Sequence, residues 1–119
     1  MLFRFEAFEL DADQLELRRG GDVRKVEPQV FSLLELLVAN AHRMVSKEEI
    51  NEQVWGGRVV SEAALSSRIR SARQAVDDDG RTQRLIKTIR DRGFRFVGEV
   101  TNVGTRPRIE ALPRDDVGV

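Results

Sequence analysis

Along the first 27 residues the apolar positions recur at every second place. Phe3 and Phe5 flank Arg4, then the phase shifts near Ala7 so that Phe8 and Leu10 take over, as a bulge or bend allows. Leu15 and Leu17 continue the alternation, Arg18 to Asp22 make a turn around Gly20-Gly21, and Val23 to Val26 form a return strand. The pattern predicts short antiparallel strands. The period then lengthens. Pro28 suits the first turn of a helix, where its missing N–H would have had no partner. Val30, Phe31, Leu33, Leu34, Leu37, Val38 and Ala41 give that helix a broad apolar face, and Asn40 can end it. Met44-Val45 forms a short extended link. Ser46-Lys47-Glu48-Glu49 has the form of a capping box, opening a second helix that buries Ile50 and Val54 and stops at Trp55-Gly56-Gly57.

Ser61 caps a third helix, spanning about residues 61–76, with Leu65, Ile69, Ala72 and Val76 on its inner side. Three acids at a helix C-terminus oppose its dipole, so Asp77-Asp78-Asp79-Gly80 fall beyond the last turn. Residues 85–100 read as a hairpin around Asp91-Arg92-Gly93, with Gly93 expected to supply the positive φ of the loop and Phe94 and Phe96 facing the core. From Thr101 onward the chain has scattered charge, two prolines and no periodicity. The expectation is one α+β domain over residues 1–100 and a linker or disordered tail over 101–119, without an internal repeat.

Composition narrows the class. The chain has 119 residues, 40% hydrophobic and 34% charged, enough for a single core. No apolar run approaches the roughly 18–20 residues of a membrane span, and the start lacks a signal-peptide pattern, so a cytoplasmic segment without membrane contact is expected. Without cysteine there is no disulfide or thiolate metal site, and the single histidine, His42, has no partners at ligand or nucleophile spacing. No enzyme, metal or cofactor is indicated. The net charge is zero, but its distribution is uneven: residues 1–57 hold 7 Lys/Arg against 11 Asp/Glu, whereas residues 58–95 hold 10 against 5.

The basic half contains a pairing that points to nucleic acid. Opposite its apolar side the third helix carries Ser67, Arg70 and Gln74, flanked by Arg68, Ser71 and Arg73, and its short Ala63, Ala64, Ser67 and Ser71 let it lie close against a partner. The hairpin that follows carries Thr88, Arg90, Arg92 and Arg95. A helix able to enter a major groove beside a basic finger able to reach backbone or minor groove fits a winged helix. Arg68 suits a guanine or a phosphate; Ser67 and Ser71 suit short contacts; Arg70 and Arg73 suit phosphates or surface ion pairs. The competing explanations are plain solvation of helix arginines and, on the hairpin, charge that keeps an edge strand from aggregating.

The ordered segments EPQVFSLLELLVAN, VSKEEINEQVWGG, SSRIRSARQAV and LIKTIRDRGFRFVG resemble the OmpR/PhoB-type winged-helix DNA-binding domain over roughly residues 3–98. Thr88-Ile89-Arg90 through Gly93-Phe94-Arg95-Phe96 is the most distinctive piece. The resemblance implies a four-stranded N-terminal sheet, a three-helix core, a recognition helix at about 61–76 and a wing at about 85–100. It implies sequence-specific binding of double-stranded DNA by a bacterial transcription regulator, through Ala64, Ser67, Arg68, Arg70, Ser71, Arg73, Thr88, Arg90 and Arg92. It also implies an RNA polymerase contact at Arg58 and the edge of Trp55, although burial as a hydrophobic plug is the favoured role for Trp55. With no receiver ahead of the first strand, the arrangement is similar to CadC-like regulators whose DNA-binding domain is N-terminal. Family members often carry a basic residue where Ser71 stands. A monomer in solution that pairs on DNA is expected, because one short recognition helix gives modest affinity. The rival function is a protein-interaction module whose basic face docks an acidic partner.

Overall fold

The computed structural model describes residues 1–104. Glu6, with φ of 52°, turns the chain so that β1 (Leu2–Phe5) and β2 (Phe8–Asp11) pair antiparallel in the register Phe5↔Phe8. The shift of phase at Ala7 is therefore a hairpin turn between two strands, not a bulge within one. β3 (Glu16–Arg19) pairs with β2, and β4 (Asp22–Arg24) with β3. Gly20 and Gly21, with φ of 58° and 91°, close the β3–β4 hairpin in a conformation that excludes most side chains. Leu15 departs from its expected place in a strand. It lies in the β2–β3 turn at φ 55° and is 70% exposed.

Helix α1 (Pro28–Ala39) buries Val30, Phe31, Leu33, Leu34, Leu37 and Val38 and packs against both other helices. Asn40 ends it, its Nδ2 donating to the Leu36 carbonyl at 2.8 Å. Strand β5 (Met44–Ser46) leads directly into α2 (Lys47–Trp55). Ser46 accepts from the Glu49 N–H at 3.0 Å, but the Glu49 carboxylate pairs with Arg43 instead of returning to the cap, so only half of the capping box forms. Gly56 ends α2 in the left-handed region, with its N–H on the Asn51 carbonyl. After α3 (Glu62–Ala75), β6 (Ile86–Ile89) and β7 (Gly93–Phe96) form a hairpin whose second strand also pairs with β5, giving the order β5-β7-β6.

One helix-lined core joins the two sheets. Phe5 stacks on Phe8 at 5.4 Å and meets Phe96 edge-on at 5.0 Å, so the wing's second strand is fastened to the first sheet. The domain does not end at residue 100. β8 (Thr101–Gly104) pairs antiparallel with β1, opposite Arg4, Phe3 and Leu2, and makes the first sheet five-stranded in the order β4-β3-β2-β1-β8. Both the expected four-stranded sheet and the expected start of the tail at Thr101 are corrected by this strand. Its four residues lack an alternating apolar pattern because β8 is an edge strand held by backbone pairing. The remainder of the expected tail, 105–119, lies outside the described residues.

Candidate nucleic-acid interface

Ser61 starts α3 by accepting the Ala64 N–H at 3.1 Å. Leu65, Ile69, Ala72 and Val76 face the core, as their spacing requires. The outer crest carries Ala63, Ser67, Arg70 and Gln74, all exposed, with Ser66 beside them. Ala64, Arg68 and Ser71 are half-buried on the flank toward α1, where Arg68 Nε donates to Gln29 Oε1 at 3.0 Å. The arginines of this helix thus have three different fates. Arg70 stands in solvent without a hydrogen bond or ion pair among the described residues, and Arg68 leans on the first turn of α1.

Arg73 turns inward, against its assignment to the DNA contacts. Its Nε donates to the Ile86 carbonyl at 3.1 Å and its guanidinium to Thr88 Oγ1 at 2.9 Å, and the residue is 8% exposed. Burial lowers its pKa, while Asp78 and Asp79 act in the opposite sense. Position 73 falls on the side of α3 facing β6, one step from Ala72, so a long cation there spans helix and strand.

The wing is held from below by Asp78. Its Oδ2 accepts the Leu85 and Ile86 N–H groups at 3.0 and 2.9 Å, and its Oδ1 accepts that of Arg84 at 2.7 Å. Burial pushes this carboxyl up, but the N–H groups of Ile86, Leu85 and Arg84 outweigh it and hold the pKa below the ordinary value. Arg84 reaches the carbonyls of Val76 and Asp77 and the carboxylate of Glu6. At the tip, the Arg92 N–H closes the turn on the Ile89 carbonyl at 3.0 Å. Asp91, not Gly93, adopts the positive φ, at 60°. Gly93 is required for another reason: a Cβ there would lie 2.0 Å from the Val45 carbonyl oxygen and 2.9 Å from Ser46 Cα. Close passage of β5 and β7 demands glycine at that point. Arg90 and Arg92 project from the tip, exposed and without partners among the described residues, and Thr88 is exposed on β6.

Between α3 and the wing runs a groove lined by Lys47, Glu62, Ser66, Arg73, Thr88 and Asp91 among others, and a second groove, lined by Ser66, Arg70, Arg73, Gln74, Asp79 and Gly80, adjoins it at Ser66 and Arg73. Residues 21–96, from the β3–β4 turn to the end of the wing, match the family model described as transcriptional regulatory protein, C terminal. The chain belongs to that family. It is an OmpR/PhoB-type DNA-binding domain, of the kind that serves bacterial transcription regulation. HilA of Salmonella typhi, a transcriptional regulator, is 33% identical over 94 residues, which are 79% of this chain and 17% of HilA. The chain thus spans only a small part of that relative. The response regulator DrrB of Thermotoga maritima, an OmpR/PhoB homologue, superposes with a TM-score of 0.73 at 30% identity, covering 82% of this chain and 44% of DrrB. The DNA-binding domain of CpxR from E. coli superposes at 0.71 with 26% identity, over 82% of this chain and 96% of that domain.

In this OmpR/PhoB-type domain the last residue of α2, Trp55, is half-buried against the core, and the loop that follows leaves Arg58 exposed beside Val59, which is 88% exposed. The sequence reading missed three residues that hold the interface. Gln29 props Arg68; Gln83 Oε1 accepts the Thr88 N–H at 2.9 Å; Asp78 organises the wing. Long-range hydrogen bonds of this kind leave no periodicity in the sequence. Only the oddity of three consecutive acids before a basic hairpin hinted at Asp78. No helix among the described residues is long and apolar enough to cross a membrane.

Proposed function

We propose that this domain binds double-stranded DNA by laying α3 in the major groove, with the β6–β7 wing on the adjacent backbone or minor groove. The observation that carries the proposal is the exposure of Arg70 on the α3 crest and of Arg90 and Arg92 at the wing tip, none with a side-chain partner among the described residues. Ala63, Ser66 and Ser67 keep the N-terminal half of α3 thin, so its backbone can approach base edges. Ala64, Ser67, Arg68, Arg70 and Ser71 supply the helix contacts, and Thr88, Arg90 and Arg92 the wing contacts. Arg73 is left out because its guanidinium is committed to Ile86 and Thr88. The acceptor side of the Thr88 hydroxyl is taken by Arg73, which leaves the hydroxyl proton free to donate to a phosphate.

The exposed Arg58 and the rim of Trp55 offer a contact to RNA polymerase, and a monomeric chain gains useful affinity by pairing copies on DNA. A mobility shift on random and genomic duplexes at two salt concentrations tests the function. Retarded duplex with salt-sensitive affinity and a preferred subset of fragments is expected. Failure to retard any duplex, while the chain binds acidic protein, would turn the basic face into a protein-docking surface.

A further inference from the structure

The helix arginines divide by hydrogen bonding, and that division narrows which one reads sequence. Resting on the major-groove placement just proposed, we infer that Arg70 reads a guanine and that Gln74, one turn further on, reads an adenine. Arg68 and Arg73 are occupied: Arg68 Nε is on Gln29, and Arg73 bridges to Ile86 and Thr88. Arg68 keeps its Nη groups free, but its bond to Gln29 holds the guanidinium on the flank toward α1. Arg70 has no such tether, since its five donors face solvent at the crest. Its neighbours on the outer side, Ser66, Ser67 and Gln74, are shorter, so Arg70 is the side chain that extends furthest. Glu62 is the one acid in α3 and lies two turns away, held by Lys47 at 3.2 Å.

The chemistry of the two side chains fixes the bases. A guanidinium presents parallel donors that match O6 and N7 of guanine, and a carboxamide presents one donor and one acceptor that match N7 and N6 of adenine. Gln74 has no side-chain hydrogen bond among the described residues and is exposed. Arg70 and Gln74 sit about 6 Å apart along the helix axis at a rise of 1.5 Å per residue. Base pairs stack at about 3.4 Å, so the guanine and adenine lie within about two steps of each other. The short serines and alanines at 63, 64, 66, 67 and 71 reach no further than a thymine methyl or a phosphate, and they discriminate weakly by comparison.

The test uses the full chain. A preferred site is selected from a randomised duplex library, and the affinities of all its single-base-pair variants are measured for wild type, Arg70→Ala, Gln74→Ala and Arg68→Ala. For wild type, one G·C pair and one A·T pair within two steps should each discriminate by about 5- to 150-fold. Arg70→Ala should abolish discrimination at the G·C pair alone, Gln74→Ala at the A·T pair alone, and Arg68→Ala at neither. Arg70 and Gln74 are exposed and Arg68 is half-buried, so unchanged melting of the variants keeps loss of fold out of the result. Uniform weakening by Arg70→Ala on every variant, with the base preferences intact, makes Arg70 a backbone contact and overturns the inference while leaving the domain's placement on DNA in force. Loss of the guanine preference in Arg68→Ala would overturn it as well. Selection of no preferred site by wild type would sink the placement of α3 itself.

Discussion

The first sheet and the α3–wing face use the same side chain in opposite ways. Arg4, Arg18, Arg19 and Arg24 of the sheet are all spent on carboxylates: Arg4 on Glu9, Arg18 on Glu9, Asp11 and Glu16, and Arg19 and Arg24 on Asp77. Arg19 and Arg24 also lie over the Phe8 ring. Arg70, Arg90 and Arg92 have no partner among the described residues. A net charge of zero therefore conceals a cancelled half and an uncancelled half. Position relative to acids, not arginine content, marks the surface that is available to phosphate. The triple acid at 77–79 belongs to the cancelled half, because Asp77 takes Arg24 and Arg19, Asp78 takes backbone N–H groups, and Asp79 takes those of Arg81 and Thr82.

The comparison breaks most severely if Asp78 is lost. Asp78→Ala leaves the buried N–H groups of Leu85 and Ile86 unpaired, at a cost of about 2–5 kcal/mol by urea denaturation, and DNA binding should fall with the folded fraction. A loss under about 1 kcal/mol would show that the wing stands without it.

Acid should dismantle the paired half. The folded pKa values of Glu9, Asp77, Asp78 and Asp79 lie below their ordinary ones, mainly through Arg4 for Glu9, Arg24 for Asp77 and Thr82 for Asp79, while at Asp78 backbone N–H groups overcome burial. The folded state then binds fewer protons than the unfolded one. This stability is complete above the ordinary values of 4.5 for Glu and 3.8 for Asp, and is lost as pH falls through the folded values. Thermal melts from pH 7 to pH 2 should show little change at the upper end and a steep decline below about pH 4. A melting point that is flat down to pH 2 would contradict the ion-pair assignments.

A milder test separates the halves residue by residue. Arg18→Ala leaves the fully buried Asp11 without that cation and should cost about 1–3 kcal/mol of stability, whereas Arg70→Ala should cost under about 0.5 kcal/mol. Equal costs in chemical denaturation would erase the distinction.

Much of this could be read from the chain. The three helices, their caps at Ser46 and Ser61, and the inward faces of Leu65, Ile69, Phe94 and Phe96 follow from periodicity and local hydrogen bonding. What escaped was non-local. β8 is an edge strand without alternation, Leu15 continued an apolar rhythm into a turn, and the glycine at 93 answers to a backbone 48 positions upstream, not to its own φ. At the candidate interface the basic residues were visible, but their division into free and committed was not. Arg73 and Arg70 share the same exposed-helix composition and differ only in which strand or solvent lies beyond them.

The central claim is that arginines without a carboxylate partner meet DNA and those spent on carboxylates do not. It is tested most directly by the salt dependence of duplex binding for wild type, Arg90→Ala and Arg4→Ala. Both residues are exposed, but only Arg4 is paired, through Glu9 at 3.0 Å. Arg90→Ala should weaken binding to all duplexes and flatten the plot of log K against log salt by about 0.9, the share of one phosphate, while Arg4→Ala leaves affinity and slope at wild-type values. A slope reduced by Arg4→Ala and unchanged by Arg90→Ala would contradict the account.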